Sequence, residues 1–357
     1  MAAFRLTRRG ALQGALAAAV AAPIDLSGPR RLRLPGPTGP YPVGTVVRHL
    51  ARRPRELMVS VWYPARETGR FPLAQWLSAA VTRELLVHSG FPAGAVTAPL
   101  TAGRVGAPAL RSGGPWPVVL FSHGAHDHRA DTTITVQELA SHGYVVVTVD
   151  HIGDAFSRLP DGRVVVPSEE PPFAGPKDFA DDIRFVLDHV RDLAELDLDL
   201  GRVGMFGWSK GGTATALVML ADRRVRAGLS LDGPMQPLIT TDLDRPFMLM
   251  TAEFTRAAEP SVAQFWSHLR GRRLDVRADG VRHSSYTDYQ ILFPQLAAAV
   301  GMSGDELRER VGTLPAARAT RIQQAYPLAF FDRHLRHRPA PLLDGPSPAF
   351  PEVRFLG

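Results

Sequence analysis

The chain contains no cysteine, so disulfides, thiolate metal sites and cysteine nucleophiles are excluded together. Lysine is nearly absent, occurring only at Lys177 and Lys210. The formal charge of +6 therefore rests on arginines scattered among carboxylates, which is not the clustered basic face that nucleic acid requires. No apolar run is long enough to span a bilayer comfortably. Repeats and low-complexity tracts are also lacking outside the first forty residues. What is present, 357 residues with 45% hydrophobic and 21% charged, is the composition of a globular protein with a large core.

The start of the chain, "MAAFRLTRRGALQGALAAAVAAP", has a basic head, a weakly apolar stretch and small residues at Ala19 and Ala21. It reads as a signal peptide over residues 1–21. Thr7-Arg8-Arg9 resembles the twin-arginine export signal, so secretion to the extracellular side by that route is expected. Residues 22–42 are rich in proline and glycine and read as an extended lead-in. Residues 43–357 are expected to form one domain.

"VGTVVRHLA" and "ELMVSVWYP" alternate like a β-hairpin. Residues 64–115 show no clear strand. The helical spacing in "LAQWLSAAVTRELLVH" suits either a lid or interfacial insertion that touches lipid transiently, or an ordinary core-facing helix. From Trp116 onward, short apolar strands alternate with helices. That pattern predicts an α/β fold with a mostly parallel central sheet covered by helices on both faces. Ligands of such sheets collect at the carboxyl ends of the strands, so polar residues just past a strand become candidates for chemistry.

Gly207-Trp208-Ser209-Lys210-Gly211 satisfies Gly-x-Ser-x-Gly between a predicted strand and a predicted helix. A phosphate-binding loop would need Ser or Thr directly after Gly-Lys, and here the serine precedes the lysine. A serine needs a base to become a nucleophile. His283, in the loop after the last predicted strand, is placed to act as that base. Asp232 ends an intervening strand and is the favoured acid; Glu253, ending the next strand, is the alternative. The order serine, acid, histidine is the one this class of sheet uses. Oxyanion donors are expected from the backbone N–H groups of Lys210, after the serine, and of Ala125, in "FSHGAHDH". His123, His126 and Trp208 are expected around the substrate pocket, with His128 at its mouth. Two rival readings remain. His123, His126, Asp127 and His128, with Asp150 and His151, form a His-rich cluster suited to a metal, although its spacing departs from the familiar metallohydrolase pattern. A non-catalytic binding protein on the same scaffold is the other.

The ordered segments "PTGPYPVGT", "ELMVSVWYPA", "PVVLFSHG", "FGWSKGG", "LDGPM", "RHSSYTDY" and "FFDRHL" resemble the α/β-hydrolase superfamily. Within it they are most similar to the platelet-activating factor acetylhydrolase-like branch of secreted bacterial esterases and lipases. The resemblance spans roughly residues 35–357. It implies an α/β-hydrolase fold, a serine ester hydrolase without cofactor, and a small-molecule or lipid ester substrate, possible examples being short-acyl phospholipids. No partner protein is implied. It also implies Asp232 as the acid and Ala125 and Lys210 as oxyanion donors. Trp208 and Lys210 depart from the branch's usual elbow, and "HGAHDH" from its usual oxyanion loop, which leaves the acyl preference open.

Overall fold

The computed structural model describes residues 29–52, 55–168, 174–193 and 195–357. The signal peptide over 1–21 and the first part of the lead-in lie outside the described residues. Eleven strands form the main sheet: β1 (Val43–Arg52), β2 (Arg55–Pro64), β3 (Leu73–Gln75), β4 (Leu100–Val105), β5 (Trp116–Ser122), β6 (Val145–His151), β7 (Leu198–Trp208), β8 (Val225–Leu231), β9 (Phe247–Met250), β10 (Arg273–Ala278) and β11 (Val353–Phe355). The helices that position the site are α1 (Ala79–His88), α2 (Thr133–Ser141), α3 (Pro176–Asp188), α4 (Lys210–Ala221), α5 (Pro260–Ser267), α6 (Tyr289–Val300), α7 (Gly304–Val311) and α8 (Ala316–Arg336).

The strand order is β11-β10-β9-β8-β7-β5-β6-β2-β1-β4-β3. From β6 through β10 every neighbour is parallel. The predicted hairpin is β1–β2, antiparallel over its full length, and β2 joins the parallel block antiparallel to β6. Strands buried on both faces need no polar alternation, and β5 and β6 are buried at every position. Val118 and Leu120 of β5 face a core shared with α3, α4 and α5. Val119 and Phe121 face a second core built with α2 and α8.

The stretch 64–115 is not strandless. β3 and β4 lie in it and form the far edge of the sheet, β4 pairing parallel with β1 and antiparallel with β3. They were missed because three to six residues, interrupted by glycine and proline, are too few to display a period of two. Between them α1 packs into a third cluster, where Trp76, Val81 and Leu86 meet Leu292 and Leu296 of α6.

The chain runs outward from β5 to β6 on one side, then crosses to β7 on the other side of β5. Ser122 and Trp208 therefore end adjacent strands where the sheet order reverses, the place where open α/β sheets hold their ligands.

Candidate active site

Ser209 sits between β7 and α4 with φ 53° and ψ −120°, a left-handed conformation costly for any residue but glycine. The bend tolerates no side chains beside it. A Cβ on Gly207 would stand 2.1 Å from the Gly211 carbonyl oxygen, and one on Gly211 would stand 2.0 Å from that of Ser122. The Ser209 N–H donates to the Leu231 carbonyl at 2.9 Å, fixing the bend to β8. The side chain is partly exposed, and among the described residues its hydroxyl is not tied up in a hydrogen bond.

Asp232 follows β8 and is fully buried. Its Oδ1 accepts the N–H groups of Ala252 at 2.7 Å and Phe254 at 2.9 Å, and its Oδ2 that of Glu253 at 3.2 Å. Oδ2 also accepts from Nδ1 of His283 at 2.7 Å. A carboxylate met by four donors is satisfied as the anion. With the imidazole proton committed to Nδ1, Nε2 is left as the basic nitrogen. The backbone of His283 is held by the Trp208 indole, which donates to its carbonyl at 2.9 Å. The Trp208 ring lies 4.9 Å from the imidazole and that of Phe254 5.1 Å, centroid to centroid. Trp208 thus carries the imidazole beside the serine that follows it in sequence.

The loop after β5 closes against the bend. A Cβ on Gly124 would stand 2.5 Å from the Trp208 ring and 3.2 Å from the Ser209 Cβ, so only glycine permits this approach. His123 is fully buried beneath it and does not line a pocket, contrary to expectation. Its Nε2 accepts the His151 N–H at 3.1 Å, which places the ring proton on Nδ1, and Nδ1 donates to the Gly124 carbonyl at 2.6 Å. Burial, reinforced by His151, lowers the His123 pKa to about 4, so the ring stays neutral and keeps this tautomer. The peptide it grips is the one whose other end is the Ala125 N–H. Among the described residues neither the Ala125 N–H nor the Lys210 N–H is spent on a hydrogen bond, and Ala125 is exposed.

Residues that the sequence did not single out complete the surroundings. The Ser122 hydroxyl meets Nε2 of His151 at 2.9 Å, and Nδ1 of His151 meets Asp182 at 3.0 Å. This second serine–histidine–aspartate chain is fully buried, with His151 stacked on Phe179 at 3.7 Å. It staples β5, β6 and α3 together and cannot meet a substrate. Its members are a strand-end serine, a strand-end histidine and a helix aspartate, which no local motif distinguishes.

Comparison with known proteins agrees with this geometry. A family model described as serine aminopeptidase, S33, matches residues 113–289, and one described as platelet-activating factor acetylhydrolase, isoform II, matches residues 27–157. A probable 1-alkyl-2-acetylglycerophosphocholine esterase of Arthroderma benhamiae is 26% identical, over 96% of this chain and 98% of its own. The platelet-activating factor acetylhydrolase of Cavia porcellus is 23% identical, over 72% of this chain and 69% of its own. The solved ferulic acid esterase of Streptomyces cinnamoneus superposes with a TM-score of 0.79 at 33% identity, covering 92% of this chain and 99% of its own. The chain is an α/β-hydrolase of the platelet-activating factor acetylhydrolase-like branch. It is accordingly a carboxylic-ester hydrolase of the serine type.

In this hydrolase Glu253 lends Asp232 its backbone N–H, while its side chain turns outward to stand 3.8 Å from the Arg282 guanidinium. It is Asp232 that touches the histidine. The His-rich stretch does not converge. His123 and His128 are fully buried, whereas the His126 side chain is 49% exposed. Both His123 nitrogens are engaged, and His128 uses Nδ1 to accept the Ala130 N–H at 3.2 Å. Among the described residues no group of three or more His, Asp or Glu side chains is arranged to hold a metal ion. His128, expected at a pocket mouth, is instead core. Of the histidines in this loop, His126 alone faces solvent.

Proposed function

We propose that this hydrolase is an exported esterase that works through an acyl-enzyme on Ser209. His283 takes the hydroxyl proton on Nε2 as Ser209 attacks the ester carbonyl, then returns it to the departing alcohol. A water molecule, activated by the same nitrogen, releases the acid and restores the serine. Asp232 holds the imidazole in the Nδ1–H tautomer and stabilises its charged form. The N–H groups of Ala125 and Lys210 take the developing oxyanion. The observation that carries this reading is the Asp232–His283 contact of 2.7 Å, made beside a serine on a strained strand-to-helix bend. The free serine hydroxyl is compatible with it, because such bonds often tighten only when substrate binds.

The substrate is proposed to be a short-chain acyl ester, an acetyl ester of a glycerophospholipid included, as the likeness to two acetylhydrolases suggests. A hydroxycinnamoyl ester is the second reading. It is favoured by the likeness to the ferulic acid esterase and by the Trp208 and Phe254 rings beside His283. A fluorophosphonate probe should label Ser209 and no other residue, and Ser209→Ala or His283→Ala should lower ester turnover by several powers of ten. Labelling elsewhere would remove the basis of the mechanism. Turnover of p-nitrophenyl acetate, a short-acyl phospholipid and methyl ferulate, measured side by side, decides the acyl class.

A further inference from the structure

The lysine that follows the serine is a departure from the branch's usual elbow, and the mechanism uses only its backbone. Its side chain is 17% exposed and leads away from the site to a single carboxylate, that of Asp154, whose side chain is 3% exposed. Lys210 Nζ pairs with Asp154 Oδ2, donates to the Ala174 carbonyl at 2.8 Å, and lies 5.0 Å over the Phe179 ring. The other oxygen, Asp154 Oδ1, accepts the backbone N–H of His126 at 2.6 Å. His126 has φ 58°, a left-handed conformation that needs such an anchor. The same two segments are linked again where the Phe156 N–H donates to the Asp127 carbonyl at 2.9 Å.

Resting on the esterase reading above, we propose that the Asp154–Lys210 pair is the spacer that sets the width of the oxyanion hole. The two donors come from separate pieces of chain, the loop after β5 and the start of α4. Stabilisation of the oxyanion falls steeply when either N–H is misaimed, so something must fix their separation. Ala125 is held from both sides, by His123 on the carbonyl before it and by Asp154 on the N–H after it. The second oxygen of Asp154 fastens that loop to the residue bearing the other donor. An apolar residue at 210 would leave this buried oxygen without its cation, and the loop would move to bring it to water. Asp154 and Lys210 are therefore positioning residues acting through the backbone.

The test compares Lys210→Met, Asp154→Asn, the double variant, and Lys210→Arg, whose guanidinium can still meet the carboxylate. For each, kcat and KM on p-nitrophenyl butyrate are measured with the affinity for a trifluoromethyl ketone, which mimics the oxyanion. The two single variants should lose about 10²-fold in kcat. Their affinity for the ketone should fall in parallel, with KM changed less than about threefold. Lys210→Arg should recover most of the loss. The double variant buries no unpaired charge, so it should fold and still show the deficit. Unchanged kcat and ketone affinity in a double variant that merely melts earlier would overturn the proposal. A wild-type protein that fluorophosphonate leaves unlabelled at Ser209 would instead overturn the esterase reading beneath it.

Discussion

Asp232 and Glu253 lie at the ends of neighbouring strands, and sequence order alone allowed either to serve His283. Hydrogen bonding separates them. The Asp232 carboxylate collects three backbone donors and the imidazole in a site closed to water, while the Glu253 carboxylate turns to solvent. The carboxylate also fixes the loop after β9, because its donors come from three successive residues there. Asp232→Asn should lower kcat by roughly 10⁴, because the amide presents its own N–H to the ring and favours the wrong tautomer. Glu253→Gln should stay within about twofold of wild type, since it breaks only an exposed pair. Steady-state kinetics on one soluble ester checks both. Comparable losses in the two variants would reassign the acid.

The elements were legible where their pattern was long and apolar. The parallel strands β5 to β10, the hairpin and the helix after Ser209 follow from runs that bury both faces or alternate cleanly. β3 and β11 are three residues each and owe their existence to pairing partners far along the chain. α7 is polar throughout, yet its Ser303–Glu306 capping box stood in the sequence unread. The triad residues could be found because each follows a strand. Asp154 and Asp182 could not, because their meaning depends on side chains that meet only in the fold. The same holds for a group of aspartates behind the oxyanion loop. Asp288 accepts the Thr133 and Ile134 N–H groups at the start of α2 and the Trp76 indole at 2.8 Å. Asp127 accepts from the Tyr289 hydroxyl at 2.7 Å. Burial raises Asp288 from 3.8 to about 7 and Asp127 from 3.8 to about 8. Between those limits the folded protein binds more protons than the unfolded chain, so stability is greatest below about pH 4 with respect to these groups. It is lost as pH rises through 7 to 8, at up to about 1.4 kcal/mol per pH unit for each proton. Melting temperature should therefore decline between pH 5 and 9, and Asp127→Asn should make that decline shallower. An equally steep decline in the variant would assign the effect to other groups.

At the scale of the whole molecule, the described part of the lead-in is a strap across the hydrolase body. The Leu32 N–H donates to the Thr97 carbonyl at 3.0 Å, and the Arg33 N–H to Gln295 at 2.9 Å. Gln137 donates to the Pro35 carbonyl at 2.6 Å, and the Thr38 N–H to Glu138 at 2.8 Å. Leu32 and Leu34 close the apolar cluster between α1 and α6. The strap thus joins the cap formed by α1 to the two helices, α2 and α6, that flank the site. Removing it would leave Gln137 and Glu138, both buried, without partners, at a cost of about 1–3 kcal/mol for each orphaned group. If residues 1–21 are an export signal, by contrast, nothing in the folded body depends on them. A chain begun at residue 22 should melt and turn over ester like the full-length protein, whereas one begun at residue 43 should melt several degrees lower and lose activity as the cap loosens. Exchange of Arg8 and Arg9 for lysine should leave the enzyme active but retained inside the cell, read from the activity of culture supernatant against cell extract. Activity in the supernatant undiminished by that exchange would mean the chain leaves by a route that does not read the arginine pair.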